Sequence, residues 1–266
     1  MSASTASPTR FILTGLPRVG SNLVLHSLAD HPAVVAYNEL FNAHRILWGS
    51  TPVDAELGET YLELRNTRPL VFLDTVLSPL LPEIRAVGFK LFYMQGCAEE
   101  CENFRLVWPF LRTMDRLKVV DVVRKNRLEQ AFSWIKARRT RVWVEKGQEA
   151  AASQQPLSIP FKELEGYFLW FDTMHRKRAE LLAGMDALVV RYEDLAGDFP
   201  TQMARIQRHL GLEERPLPPA TRKQRTIPLS RAIANYRELR EAFARTDFLA
   251  YFEMSEADAA CCADAA

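Results

Sequence analysis

The chain has 266 residues, 48% of them hydrophobic and 25% charged, enough to bury a full core at the upper edge of what one domain holds. Thirty-four Lys and Arg against 33 Asp and Glu leave a formal net charge of +1, so the totals point to neither a nucleic acid nor an anionic membrane as partner. No apolar run reaches the ~20 residues that span a bilayer, and residues 1–9 lack the basic start and apolar centre of a signal peptide. Cys97, Cys101, Cys261 and Cys262 match neither common zinc spacings nor a secreted disulfide framework. The expectation is a cytoplasmic protein with free thiols and no membrane insertion.

In chain order, RFILTG (10–15) is the first predicted strand, and a helix over 21–30 follows it. AVVAY (33–37) is the second strand, expected beside the first. AVGFKLF (86–92) precedes a helix over 99–115, and LKVVDVVR (117–124) runs into a helix over 126–146. A helix over 160–183 leads to the strand ALVVRY (187–192), and a further helix covers 199–210. Continuous apolar strands alternating with helices specify the α/β class, with a central parallel sheet flanked by helices as a three-layer, P-loop-like fold. The polar stretch 148–160 reads as a loop, and residues 213–230, rich in Pro, Arg and Lys, as a basic surface loop. Residues 1–9 and about 255–266 are expected to be flexible ends of one domain spanning 1–266.

The stretch FILTGLPRVGSNLVLHSL (11–28) joins a strand to a helix through Gly15, Pro17, Arg18, Val19, Gly20, Ser21, Asn22 and Leu23. Its two glycines have the spacing of a phosphate-binding loop, but Ser21 stands where that loop carries lysine. Main-chain amides and the positive helix end suit a terminal phosphate, with donors added by Ser21 and Asn22. A plain strand-to-helix turn would use the same glycines. Losing the lysine weakens a kinase reading, because that side chain and Mg²⁺ neutralise a triphosphate. Asp121, at the end of LKVVD, imitates a metal-holding aspartate of such kinases.

Residues 119–141 place Arg124, Lys125 and Arg127 at the carboxyl edge of the sheet, where open α/β sheets bind ligands. Ser133 follows Lys125 by eight residues, close to one helical face. A phosphate could be held between strand end and helix, or the helix could simply present a solvated cationic face. The five histidines show no metal-ligand spacing. Trp134, Trp143, Phe168, Trp170 and Phe171 read mainly as core, with one or two able to stack on a sugar.

Three segments in order, TGLPRVGSNLVLHSLADHPAVVAYNELF, VVRKNRLEQAFSW and VVRYEDL, resemble sulfotransferases that use 3′-phosphoadenosine-5′-phosphosulfate (PAPS), and among them the bacterial carbohydrate group of trehalose, nodulation-factor and lipopolysaccharide type. The resemblance runs from about residue 10 to 245. It implies that Arg18, Gly20, Ser21, Asn22 and Leu23 bind the 5′-phosphosulfate, with Pro17 and Val19 completing the loop. It implies that a basic residue, Arg124 or Lys125, grips the 3′-phosphate together with Ser133, and that Tyr192 touches adenine. Arg222, Lys223 and Gln224 fall where the family closes a late loop over the 3′-phosphate, although this chain lacks the glycine-rich motif and tryptophan of the cytosolic members.

By the same resemblance, Glu39 in AYNELF is the base that accepts the acceptor's proton, since carbohydrate and tyrosyl-protein members use a glutamate there. Cytosolic members use a histidine after the third strand, and this chain has Phe92 at that position. Lys90 is a charge inside an apolar strand, costly unless the strand end opens onto a site, and with Arg18 it would stabilise the departing phosphate. The reading is thus a metal-independent enzyme releasing 3′-phosphoadenosine 5′-phosphate (PAP), its acceptor a small molecule or glycan. Alternatives are an ATP-dependent kinase, a tyrosyl or secondary-metabolite sulfotransferase, and a non-catalytic nucleotide-binding protein. The helix 128–143 is a candidate for the acceptor cleft or for a homodimer contact.

Overall fold

A computed structural model describes residues 7–49, 54–78, 81–143, 155–220 and 227–263. Contacts divide the chain into two compact units, the first comprising Met1–Val123 and Lys177–Ala220, the second Arg124–Arg176 and Thr221–Ala266.

The first unit is built on five parallel strands, β1 (Thr9–Gly15), β2 (Val34–Glu39), β3 (Ala86–Phe92), β4 (Leu117–Val123) and β5 (Asp186–Arg191), in the order β2-β3-β1-β4-β5. The expected α/β architecture is present, with one correction. β2 lies beside β3 and not beside β1. The burial of the strands explains the order: all seven residues of β3 are buried, as an inner position requires, whereas β2 alternates and ends half-exposed, as an edge strand does. β1 then has β3 on one side and β4 on the other. The connection leaving β1 runs towards the β2 edge and that leaving β4 towards the β5 edge, so a crevice opens at the carboxyl ends of β1 and β4.

Helices α1 (Ser21–Ala29), α2 (Ala55–Thr67), α3 (Pro69–Val76) and α4 (Val107–Thr113) connect the first four strands. Sequence periodicity did not show α2, because Arg65 is its only fully buried residue. Its start is nonetheless marked by the Asp54 side chain, which accepts a hydrogen bond from the Leu57 amide at 2.8 Å. The helix expected over 99–115 is split into a 3₁₀ turn at Glu102–Leu106 followed by α4. Pro109, which cannot donate, confines the α-helix to a start at Val107. Against one sheet face pack Phe41, Phe72, Phe89, Phe104 and Trp108, all buried. Phe41 meets the Phe104 ring edge-on at 5.1 Å and Phe72 at 6.0 Å, and each such side chain contributes about 2–3 kcal/mol through burial. After β5 the first unit ends with α7 (Tyr192–Gly197) and α8 (Phe199–His209).

The second unit contains α5 (Arg127–Thr140), α6 (Phe161–Leu182) as far as Arg176, α9 (Leu229–Ala232), α10 (Tyr236–Ala242) and α11 (Leu249–Ala263). Asn126 caps α5 by accepting from the Glu129 amide at 3.1 Å, and its own NH₂ donates to Ser255 Oγ at 2.8 Å. That contact places Ser255, the first residue of the stretch expected to fray, in the packed part of the second unit. Phe252 is fully buried, with its ring 5.4 Å from that of Tyr236 and 5.9 Å from that of Phe243, so α11 is anchored from both Phe252 and Ser255.

Candidate active site

The loop from β1 to α1 crosses the crevice on residues whose backbone fixes its path. A Cβ on Gly15 would lie 2.4 Å from the Val122 carbonyl oxygen, so only glycine lets β1 end against β4. Pro17 and Val19 are buried under the loop, while Arg18 stands half-exposed in the left-handed region at φ 68°. Gly20 is also left-handed, at φ 87°, and a Cβ there would meet the Tyr192 ring at 2.7 Å. The sequence places Tyr192 at the end of an expected strand. It is the first residue of α7, and its ring covers Gly20. α1 begins without a side-chain cap and with no acidic residue in its first turn, so the first amides of the helix are left for an external acceptor.

Beside this loop stands a charged centre made by one irregularity. The β2–β3 register slips between Tyr37 and Glu39, so that Tyr37 pairs with Phe89 and Glu39 with Lys90. This bulge at Asn38 brings Glu39 onto the side of the sheet where Lys90 points. Lys90 Nζ lies 3.1 Å from Glu39 Oε1 and donates to Asn22 Oδ1 at 2.5 Å. Glu39 Oε2 accepts from Gln95 Nε2 at 3.0 Å and from Asn42 Nδ2 at 3.2 Å. The Lys90 side chain is 2% exposed and that of Glu39 17%, so the carboxylate has a solvent-facing edge and the ammonium has none. Burial pushes Lys90 below the ordinary lysine range, Glu39 opposes that by charge and hydrogen bond, and the Arg18 charge adds to it. Thus Glu39, Lys90 and Asn22 are in direct contact, with Arg18 in electrostatic range.

Asp121, considered as a metal ligand, is otherwise engaged. It is fully buried, accepts from the Tyr93 hydroxyl, and pairs with Arg178, whose Nε lies at 2.6 Å. Burial raises its pKa, against the lowering pull of Tyr93 and Arg178. These partners occupy the carboxylate as a structural tie between β3, β4 and α6.

In the second unit, Arg124 is committed to a largely buried pair with Glu129 at 2.7 Å. Lys125 is exposed ahead of the Asn126 cap, and Ser133 is half-buried in the second turn of α5. Trp134 and Trp170 face each other at 5.5 Å beside a half-exposed Trp143. Arg222, Lys223 and Gln224 lie outside the described residues.

Comparison with known proteins bears on this arrangement. The chain is similar over 96% of its length to Nodulation protein H of Rhizobium meliloti, with 27% identity over 263 residues and 99% of that protein covered. Nodulation protein H of Rhizobium tropici is 26% identical over 270 residues, covering 96% of this chain and 98% of its own. The chain resembles Nodulation protein H along nearly its whole length. No protein-family model matches it. Among solved structures, a sulfotransferase from Alicyclobacillus acidocaldarius aligns over 94% of this chain and 95% of its own with a TM-score of 0.47 and 16% identity. A mouse sulfotransferase complexed with PAP aligns over 79% and 61% with a TM-score of 0.39 and 14% identity. No described helix is long and apolar enough to cross a membrane.

Three residues that sequence reasoning missed support the centre. Asn42 and Gln95 hold one oxygen of Glu39. Arg65, 2% exposed, sends one guanidinium nitrogen to the carbonyls of Leu40 at 3.0 Å and Asn42 at 2.8 Å. It thereby fixes the turn that carries Glu39 and Asn42. Asn42 had a local signal, three residues after Glu39 in NELFN. Arg65 had none, since a surface arginine and a buried one look alike in an amphipathic helix.

Proposed function

We propose that this protein is a PAPS-dependent sulfotransferase that moves a sulfuryl group to a hydroxyl of a carbohydrate or glycolipid. The observation that carries the reading is the Glu39–Lys90–Asn22 cluster set directly beside an uncapped helix start. It combines a proton acceptor, a buried cation and an anion cradle, the three elements that sulfuryl transfer requires. The similarity to Nodulation protein H supports the same group that the sequence motifs suggested.

In this reading the loop from Pro17 to Leu23 holds the 5′-phosphosulfate through main-chain amides, with Arg18 and Ser21 supplying side-chain donors. Glu39 takes the proton of the acceptor hydroxyl as its oxygen bonds to sulfur. The bond from sulfur to the bridging oxygen breaks, and the electron pair leaves on the 5′-phosphate of PAP. Lys90 and Arg18 stabilise the charge that develops there. Tyr192, which covers Gly20, supplies a ring for adenine, and Arg124 or Lys125 takes the 3′-phosphate together with Ser133.

The test pairs binding with transfer. PAP is expected to raise the melting temperature, and ATP with Mg²⁺ to leave it unchanged. Radiolabelled PAPS is expected to label a chitooligosaccharide, trehalose or lipopolysaccharide, in the presence of EDTA as in its absence. Stabilisation by ATP and Mg²⁺ with none by PAP would overturn the reading in favour of a kinase.

A further inference from the structure

The two oxygens of Glu39 are not equivalent. Among the described residues, Oε2 accepts two hydrogen bonds, from Gln95 Nε2 at 3.0 Å and Asn42 Nδ2 at 3.2 Å, whereas Oε1 faces a single donor, Lys90 Nζ, at 3.1 Å. A carboxylate oxygen offers two lone-pair directions, so Oε2 is filled and Oε1 retains one.

The amide of Gln95 cannot reverse its polarity, and that of Asn42 is oriented the same way. The carbonyl oxygen of Gln95 accepts from the Phe92 amide at 3.0 Å, and that of Asn42 accepts from the His44 amide at 3.3 Å. A main-chain N–H only donates, so each amide must turn its carbonyl towards the chain and its NH₂ towards Glu39. Gln95 is held further by its own backbone. Its N–H donates to the Phe92 carbonyl at 2.8 Å, and its carbonyl accepts from the Trp108 indole at 2.9 Å. With Gln95 itself 5% exposed, a reversal would set donor against donor at Phe92 and oxygen against oxygen at Glu39, with no water to relieve either.

We propose that Gln95 is a positioning residue, seconded by Asn42, that saturates Oε2 of Glu39 and thereby makes Oε1, beside Lys90, the atom that takes the acceptor's proton. The inference deepens the proposed sulfuryl transfer and rests on it for the identity of that proton. It adds which oxygen reacts and what enforces the choice. The proton arriving on Oε1 lies next to the Lys90 ammonium, so the cation that balances the ionised base also adjoins the reacting hydroxyl.

The test is Gln95→Glu, which keeps shape and still offers an oxygen to the Phe92 amide, but sets a carboxylate against Oε2. Like charges in contact favour protonation of one of them. The acidic limb of the kcat profile is therefore expected to move up by about one pH unit or more, so that kcat at a fixed pH on that limb falls about tenfold while PAP affinity is unchanged. The ¹³C titration of the Glu39 side-chain carboxyl, assigned by comparison with Glu39→Gln, is expected to move up in step. Asn42→Asp, on the half-buried side of the same oxygen, repeats the measurement should Gln95→Glu fail to fold.

An acidic limb and a ¹³C titration both unmoved in a folded variant would overturn the proposal. Because the titration needs no turnover, a moved titration in a protein inactive with PAPS would uphold the oxygen assignment and reject the sulfotransferase reading. Activity with PAPS and an unmoved titration would do the reverse.

Discussion

Replacing Glu39 by Gln tests the charged centre most directly, because the two side chains differ by one atom and one charge. The carbonyl of the new amide fits at Oε2, where Gln95 and Asn42 donate, which turns its NH₂ towards the Lys90 ammonium 3.1 Å away. Lys90 keeps Asn22 Oδ1 and loses its only charged partner among the described contacts. At 3.1 Å and an effective dielectric of about 20, the lost attraction is about 5 kcal/mol before solvent and proton release relieve it. One-sided removal of a buried pair leaves a net cost of about 3 kcal/mol. At about 2–4 °C per kcal/mol for a chain of this size, the melting temperature should fall by about 6–12 °C. The double variant Glu39→Gln with Lys90→Met removes the stranded charge and should recover most of that loss while transfer stays about 10²–10⁴-fold below the native rate. The assays are thermal unfolding by circular dichroism, PAP titration by calorimetry and transfer of label from PAPS. A single variant melting within a degree of the native protein, or a double variant less stable than the single one, would refute the argument that Lys90 depends on Glu39.

Gly20→Ala places a methyl group 2.7 Å from the Tyr192 ring at a backbone φ of 87°; it should weaken PAP binding at least about tenfold and cost about 1–2 kcal/mol in urea unfolding, and unchanged binding would detach Tyr192 and Gly20 from the nucleotide. His209 has its pKa lowered, by burial first and against the raising effect of Asp186, and its Nε2 lies 3.1 Å from the Val119 carbonyl. The unfolded chain then binds more protons than the native one below the ordinary histidine pKa of about 6.5, so stability from this group is lost as pH falls through that value, with a slope of at most about 1.4 kcal/mol per pH unit. His209→Gln keeps a donor for Val119 and should flatten the difference between urea curves at about pH 5 and pH 7, whereas an identical pH dependence in the two proteins would sink this assignment.

The parts of the fold that could be read in advance are those where a local rule coincides with the tertiary demand. β3 reads as a strand because all seven of its residues are buried between two neighbours, and Lys90 stood out in it as the one charge that an inner strand tolerates only at an opening. Gly15 and Gly20 announced the loop because a close approach and a left-handed backbone both demand glycine. What remained hidden depended on partners distant in sequence. The place of β2 at the edge follows from β3 taking the site beside β1, a competition that the short run AVVAY does not record. The meeting of Glu39 with Gln95 spans 56 positions, and the grip of Arg65 on Leu40 spans 25.

The bulge at Asn38 joins these two kinds of information. Side chains alternate along a strand, so without the extra residue Asn38 would pair with Lys90 and Glu39 would point to the opposite face. Glu39 therefore meets Lys90 only because β2 breaks register at its last residue, and Asn38, whose buried Oδ1 has no hydrogen-bond partner among the described residues, carries the cost of that break. An unsatisfied buried carbonyl costs about 1–3 kcal/mol. A chain that retains such a defect one residue from its proposed base, and clamps the following turn with a buried arginine, is spending stability on the direction of one carboxylate.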